Sequence, residues 1–282
     1  MVAGDTHGNL AWIATLAKLA ARHGCAGIVQ LGDFGFWPDL RKLRSSNNRM
    51  RVLDERWLDA VADELARHSI WMRVLDGNHD AHPLVEDRYP AGDDGIAPIR
   101  SGLLDWATRG ARWSWCGVRF GALGGAVSID QEHRLPGVSW WATEEITPDD
   151  LSRLGDGPLD VLLTHDAPEG VNHPLVDLSS LGVHYLQVES LSRASRRLVE
   201  EARRATRPAL HLHGHFHLRY RTAVDGGGVK TIVQGLGCDQ HGNGEAWGVL
   251  ELPDLVFADG WEVVRAAQAG RPLDPNRVGS GP

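Results

Sequence analysis

Cysteine is scarce: Cys25, Cys116 and Cys238 are the only three in 282 residues. Thiols so few and so scattered exclude a disulfide framework and a four-cysteine zinc site. None lies in a motif, so the expectation is of inert thiols in a reducing, cytoplasmic compartment. Lysine is equally rare, with only Lys18, Lys42 and Lys230, and arginine supplies the rest of the positive charge. Coding bias accounts for such a preference, although arginine also suits bidentate phosphate recognition better than lysine. An excess of positive charge is missing too. The formal net charge of −8 leaves no general basic field to draw the chain to nucleic acid or to an anionic membrane. No run approaches the roughly 18–20 apolar residues of a membrane span. The opening MVAGDTHGN lacks the charged-then-apolar pattern of a signal peptide. Secreted, membrane, fibrous and disordered classes are set aside.

What is present is an ordinary globular composition, 42% hydrophobic and 23% charged, with 14 histidines and 11 tryptophans in excess. A single domain is expected over residues 1–270, followed by a mobile tail at 271–282 (RPLDPNRVGSGP), rich in proline and glycine. Short apolar runs read as strands at 1–4, 27–33, 70–76, 159–165, 208–215, 230–237 and 246–252, with a hairpin over 112–125 turning at Cys116-Gly117. Helical spacing marks 10–22, 51–68 and 186–206, and a shorter helix at 143–154 opened by Thr143 with Glu144 and Glu145 in its first turn. Such βαβ units followed by hairpins predict an α/β fold, with helices outside stacked sheets.

The decisive feature is positional. Five expected strands end in short polar clusters: Gly4-Asp5-Thr6-His7-Gly8-Asn9, Gly32-Asp33, Gly77-Asn78-His79-Asp80, Thr164-His165-Asp166 and His213-Gly214-His215-Phe216-His217. Sites in open α/β sheets assemble at the carboxyl ends of strands. Asp, Asn and His supply oxygen and nitrogen donors suited to Mn²⁺, Fe, Zn²⁺ or Ni²⁺ rather than to a thiolate or all-oxygen site. Seven such donors exceed the needs of one ion and suit two, about 3.5–4 Å apart and sharing a carboxylate. Two divalent ions, two aspartates and a hydroxide leave a charge of about +1, which attracts phosphate despite the acidic chain. Any one cluster alone is compatible with an ordinary polar turn; all five in this order are not a coincidence.

These motifs resemble those of the calcineurin-like metallophosphoesterases: Asp-x-His, Gly-Asp, Gly-Asn-His-Asp/Glu, a later His, then Gly-His-x-His. Here they stand as GDTHG (4–8), GD (32–33), GNHD (77–80), His165 and GHFH (214–217), spanning roughly residues 1–250. The resemblance implies a four-layer α/β/β/α sandwich and a phosphoester hydrolase working by attack of a metal-bridging hydroxide. It further implies that Asp5, His7 and His217 bind one divalent metal, and Asn78, His165 and His215 the other, with Asp33 bridging. Manganese is the expected ion, with Fe, Zn or Ni as alternatives. His79 would contact the phosphate and protonate the leaving group, and Asp80 would orient it.

The second motif, GDFGFW, departs from the Gly-Asp-x-x-Asp-Arg-Gly of the Ser/Thr phosphatases, and no tyrosine follows Asp33 as in purple acid phosphatases. What remains is similar to bacterial and phage phosphodiesterases, and less so to DNA-repair nucleases; a retained His7 favours diesters. Two flanking segments bear on the substrate. Residues 38–51 carry Arg41, Lys42, Arg44, Arg49 and Arg51, either a basic rim or a solvated helix start. Residues 124–145 carry His133, Arg134, Trp140 and Trp141, which either pack or hold a base by stacking. Arg134, Trp140 and Trp141 are taken as substrate-binding. The expected substrate is a small nucleotide-type phosphodiester, for example a 2′,3′-cyclic nucleotide. A DNA or RNA nuclease, a broad phosphomonoesterase and a metal-free scaffold are the alternatives.

Overall fold

The structure is a computed structural model that describes residues 1–41, 53–171, 182–226, 228–241 and 244–269, with the side chains of 182–189 left out. Most of the basic segment 38–51 and the whole tail 271–282 lie outside the described residues.

Two sheets are stacked. In the first, β1 (Val2–Ala3), β2 (Gly27–Gln30), β3 (Trp71–Val74) and β5 (Leu104–Ala107) run parallel side by side. Antiparallel β4 (Ile96–Arg100) closes one edge, and β12 (Trp247–Glu251) with β13 (Val256–Asp259) closes the other. In the second, β7 (Val118–Leu123), β8 (Val161–Thr164), β9 (Leu210–His213) and β11 (Val229–Gly235) are parallel. Antiparallel β6 (Arg112–Trp115) and β10 (Tyr220–Gly226) flank them.

The two-residue period of a strand sorts the core. Ala3 and Ile28 face an outer helical layer, whereas their neighbours Val2 and Val29 face the second sheet. Val161 and Leu163 meet them across the interface, and Leu162 between them turns outward to Leu154, Val199 and Ala202. Full burial of one such aliphatic side chain stabilises by roughly 1.5–3 kcal/mol. Both parallel blocks are covered on both faces, which is why their central strands read as continuous apolar runs.

On the first sheet lie α1 (Leu10–Arg22), α2 (Glu55–Arg67), α3 (His82–Arg88) and α6 (Gly260–Gln268). On the second lie α4 (Pro148–Leu154) and α5 (Gly182–Thr206). This is the four-layer α/β/β/α sandwich. Helix α1 starts where Asn9 accepts from the Trp12 N–H, and it buries Ile13, Leu16, Ala17 and Ala20 on one face. The expected hairpin turn holds: Cys116 and Gly117 both have positive φ, 51° and 80°, as a tight two-residue hairpin loop requires. The expected helix at 143–154 is corrected. Residues 142–144 form a single 3₁₀ turn, and α4 begins only after Thr147, whose side chain caps it in a reciprocal pair with Asp150. Pro148 decides this, because proline fits the first turn of a helix but not its interior.

Candidate metal centre

Three polar clusters follow strands of the first sheet (Asp5 and His7 after β1, Asp33 after β2, Asn78 to Asp80 after β3). Two follow the second: His165 after β8, and His215 and His217 after β9. The stacking therefore brings all seven expected donors to the carboxyl edge of both sheets. Close approach depends on glycine at two points. A Cβ on Gly77 would overlap Asp33 Oδ1, and one on Gly214 would overlap Asp5 Oδ1. Four of the donors, His7, Asp33, His215 and His217, sit at positive φ (45°, 53°, 66° and 55°). Such non-glycine geometry costs of order 1–3 kcal/mol per residue and collects at functional sites.

Outer hydrogen bonds aim the rings. His165 Nδ1 lies 2.7 Å from the Leu31 carbonyl oxygen, which can only accept, so Nδ1 carries the hydrogen. Its Nε2 is then free to face Asn78 Oδ1 at 3.1 Å and Asp33 Oδ1 at 3.5 Å. His7 Nδ1 likewise donates to Asp239 Oδ1 at 2.9 Å. His7 Nε2 is left 3.7 Å from Asp33 Oδ2 and 4.0 Å from Asp5 Oδ2. Imidazoles held this way on one nitrogen are set to bind metal with the other. Asp33 thus turns one oxygen toward His165 and Asn78 and the other toward His7. His217 Nε2 lies 3.0 Å from Asp5 Oδ2. The His215 ring packs on His165 with centroids 5.1 Å apart, while its backbone N–H donates to Asp5 Oδ1. Asn78 Nδ2 donates to Ser128 Oγ at 3.1 Å, and Ser128 in turn donates through its N–H and Oγ to the Glu144 carboxyl. Burial pushes Glu144 up to about 7, against the two Ser128 bonds.

The donor set fits cations. Asp5 is 0% exposed, and its Oδ2 faces His217 Nε2 at 3.0 Å and His7 Nε2 at 4.0 Å, so this buried carboxylate requires a positive charge beside it, either protonated His217 or a bound cation in its place. Asp5, Asp33 and His165 place ligand atoms within 4.8 Å of one another; so do His7, His217 and Cys238. Against burial, which would raise it, His165, His79 and His7 hold the Asp33 carboxyl well below its ordinary range. Burial and then His165 push His215 well down, whereas His217, against its burial, is drawn up to about 10 by Asp5 and Cys238.

His79 stands beside this group with Nε2 3.9 Å from Asp33 Oδ2 and 2.6 Å from an Arg134 guanidinium nitrogen. A guanidinium only donates, so His79 Nε2 accepts and the ring is neutral. Burial and Arg134 depress its pKa against the opposing pull of Asp33. Asp130 anchors Arg134 from behind at 2.7 Å. Asp80 is not brought to the His79 ring. Its two oxygens accept four backbone N–H groups, from Phe34, Gly35, Phe36 and Gly77, at 2.8–3.1 Å. Burial and Asp33 push its pKa up to about 6, against the bonds from Gly35, Gly77 and Phe36. Asp80→Ala is therefore expected to lower folding stability by about 3–5 kcal/mol, read from the denaturant midpoint. A fall in turnover at unchanged stability would instead mark Asp80 as an orienting group for His79.

A cavity of about 510 Å³ opens beside His79 and Arg134, walled by Trp37, Trp57, Val138 and Trp141. Trp141 contributes from a buried position, and Trp140 is not among the lining residues. Arg41 also lines it, paired to Asp39 and Asp54. Four site residues had no sequence signal: Ser128 and Glu144 behind Asn78, Asp239 behind His7, and Cys238. Cys238, expected only as an inert thiol outside the motifs, is brought beside the site, because the loop after β11 runs along the Asp-x-His motif and pairs Cys238 with Asp5.

Carboxylates, imidazoles and one carboxamide converging on the edge of two stacked sheets define a metal-dependent hydrolytic centre. The chain belongs to the calcineurin-like phosphoesterase family, whose profile matches residues 1–232. That family binds two divalent metals and hydrolyses phosphoesters. No curated protein matches the sequence. Among solved structures, TT1561 of Thermus thermophilus is similar at 14% identity and a TM-score of 0.49, covering 92% of this chain and 96% of its own. A dimetal phosphatase from Danio rerio is similar at 15% identity and a TM-score of 0.48, covering 84% and 86%. The Plasmodium protein GAP50, described as the anchor in the inner membrane complex, is similar at 12% identity and 0.42, covering 87% and 73%. No described helix is long and apolar enough to cross a membrane.

Proposed function

We propose that this chain hydrolyses the phosphodiester of a small nucleotide-type molecule, such as a 2′,3′-cyclic nucleotide, in the cytoplasm. Asp5, His7, Asp33, Asn78, His165, His215 and His217 would hold two divalent transition-metal ions, manganese in first place. The observation that carries the reading is the cavity of about 510 Å³ beside His79 and Arg134, with Trp37, Trp57 and Trp141 in its walls. Its volume lies in the range of small-molecule pockets, about 300–1,000 Å³. Flat indole faces suit a nucleobase, and the net charge of −8 disfavours a long polyanion.

Bound metals supply Lewis acidity and a nucleophilic water at neutral pH. The chain's own groups do the rest. Arg134 receives a phosphoryl oxygen, which takes over the donor now directed at His79 Nε2. His79 Nε2, no longer accepting from Arg134, is then free to take a proton from solvent and pass it to the departing oxygen. Trp37 and Trp57 exclude water and seat the base.

A metal-supplemented panel of 2′,3′-cyclic nucleotides, bis(p-nitrophenyl) phosphate, p-nitrophenyl phosphate and single-stranded oligonucleotide tests this. The cyclic nucleotides are expected to show the highest kcat/KM. Trp37→Ala is expected to raise KM for them by about tenfold with little change in kcat, as loss of one base-stacking face implies. Faster cleavage of oligonucleotides would establish a nuclease instead, and faster cleavage of the monoester a phosphatase.

A further inference from the structure

We propose that Cys238 is a sulfur ligand of the metal on the His7–His217 side, an inference that rests on the two-metal reading. Gly237, Cys238 and Asp239 run against the Asp-x-His motif: Asp5 and Cys238 form a bridge pair, and the Asp239 N–H donates to the Asp5 carbonyl at 3.0 Å. A Cβ on Gly4 would overlap the Gly237 carbonyl oxygen, so the two segments are in direct contact. Cys238 is 1% exposed. Its Sγ and one nitrogen each of His7 and His217 lie within 4.8 Å of one another. Ligand bonds of about 2.0–2.3 Å put donors around one ion up to roughly 4.5 Å apart. These three therefore close on a single ion with little movement.

A second observation points to the same place. Asp5 Oδ2 is fully buried and faces His217 Nε2 at 3.0 Å and His7 Nε2 at 4.0 Å. It is a negative oxygen aimed between the two histidines that flank the thiol. Cys238 Sγ also makes a hydrogen bond to His241 Nδ1 at 3.7 Å, which metal binding would replace.

Binding replaces the S–H bond with a sulfur–metal bond and releases the proton to solvent. The ligand set then gains one negative charge and one soft donor. Soft thiolate favours zinc, iron or cobalt over manganese, so Cys238 would make the two metal positions chemically unequal and tune one of them away from manganese. The other position, faced by Asn78, His165 and His215, keeps only nitrogen and oxygen donors.

The test loads metal-depleted full-length protein with cobalt(II) and records its near-ultraviolet spectrum, with cobalt counted by elemental analysis. A sulfur-to-cobalt charge-transfer band is expected in the parent protein. It should persist in the Cys25→Ser/Cys116→Ser double variant, where Cys238 is the sole remaining thiol, and vanish in Cys238→Ser. Cys238→Ser is also expected to lose zinc to a chelator about tenfold faster and manganese at an unchanged rate. Two bound cobalt ions without the band, in parent and double variant alike, would overturn the sulfur ligand and leave the two-metal reading intact. Failure of the parent protein to bind cobalt at all would overturn both. The double variant decides the matter even where Cys238→Ser fails to fold.

Discussion

Asp33→Ala is expected to reduce metal content from close to two ions per chain to one or fewer, and to lower phosphoester turnover by about 10³-fold or more. That loss corresponds to on the order of 4 kcal/mol of transition-state stabilisation. Asp33 sits centrally: Oδ1 is 3.5 Å from His165 Nε2, and Oδ2 is 3.7 Å from His7 Nε2. Asp5 meets histidines of both sheets through Oδ2 alone, whereas Asp33 divides its two oxygens between them. Removing it also takes the acceptor from the His79 N–H, which donates to Oδ1 at 2.8 Å, so the third motif loses its tether at the same time. Elemental analysis beside a diester assay, with circular dichroism to confirm folding, measures the outcome. Two retained ions with full turnover would remove Asp33 from the centre.

His79→Ala separates chemistry from metal binding. His79 Nε2 is nearer to the Arg134 guanidinium, at 2.6 Å, than to Asp33, at 3.9 Å, so its ring faces the cavity side of the donor cluster. The variant is expected to keep both metals and to lose about 10²–10⁴-fold in turnover, the range for a positioned general acid. The loss should be smaller for a nitrophenyl ester, whose leaving group needs little protonation. Arg134→Ala should couple to it: residues in contact behave non-additively, and the double variant should lose less than the product of the two single losses. A fall in metal content with activity would make His79 a ligand.

Much of the site was legible because its donors are announced locally. Each cluster follows an apolar run within a few residues, and glycine stands where a ligand from another strand must approach, as at Gly77 and Gly214. Strands buried on both faces, such as Gly27–Gln30 and Val161–Thr164, carry their signal in composition. Apart from β6, which the hairpin signal at Cys116-Gly117 announced, the edge strands were not legible. In Tyr220–Gly226 no residue is fully buried, and the strand exists because seven residues pair in register with Val229–Gly235. Likewise β4, β13, α3 and α6 are short elements that the sequence reading did not anticipate.

The sequence by itself determined the chemistry of the centre, since side-chain type and strand-end position are local properties and both were written in five short motifs. Only the tertiary structure decided what stands behind and beside those donors. Asp239 reaches His7 across 232 residues of chain, and Asn9 across 230. Asp80 answers four amides rather than the neighbouring imidazole. Trp37 and Trp57, not Trp140, wall the cavity. Cys238, silent in every motif, arrives beside His7 and His217. Such contacts depend on how two whole sheets stack and how their end loops are pressed together, a sum of packing over the entire core that no local pattern encodes.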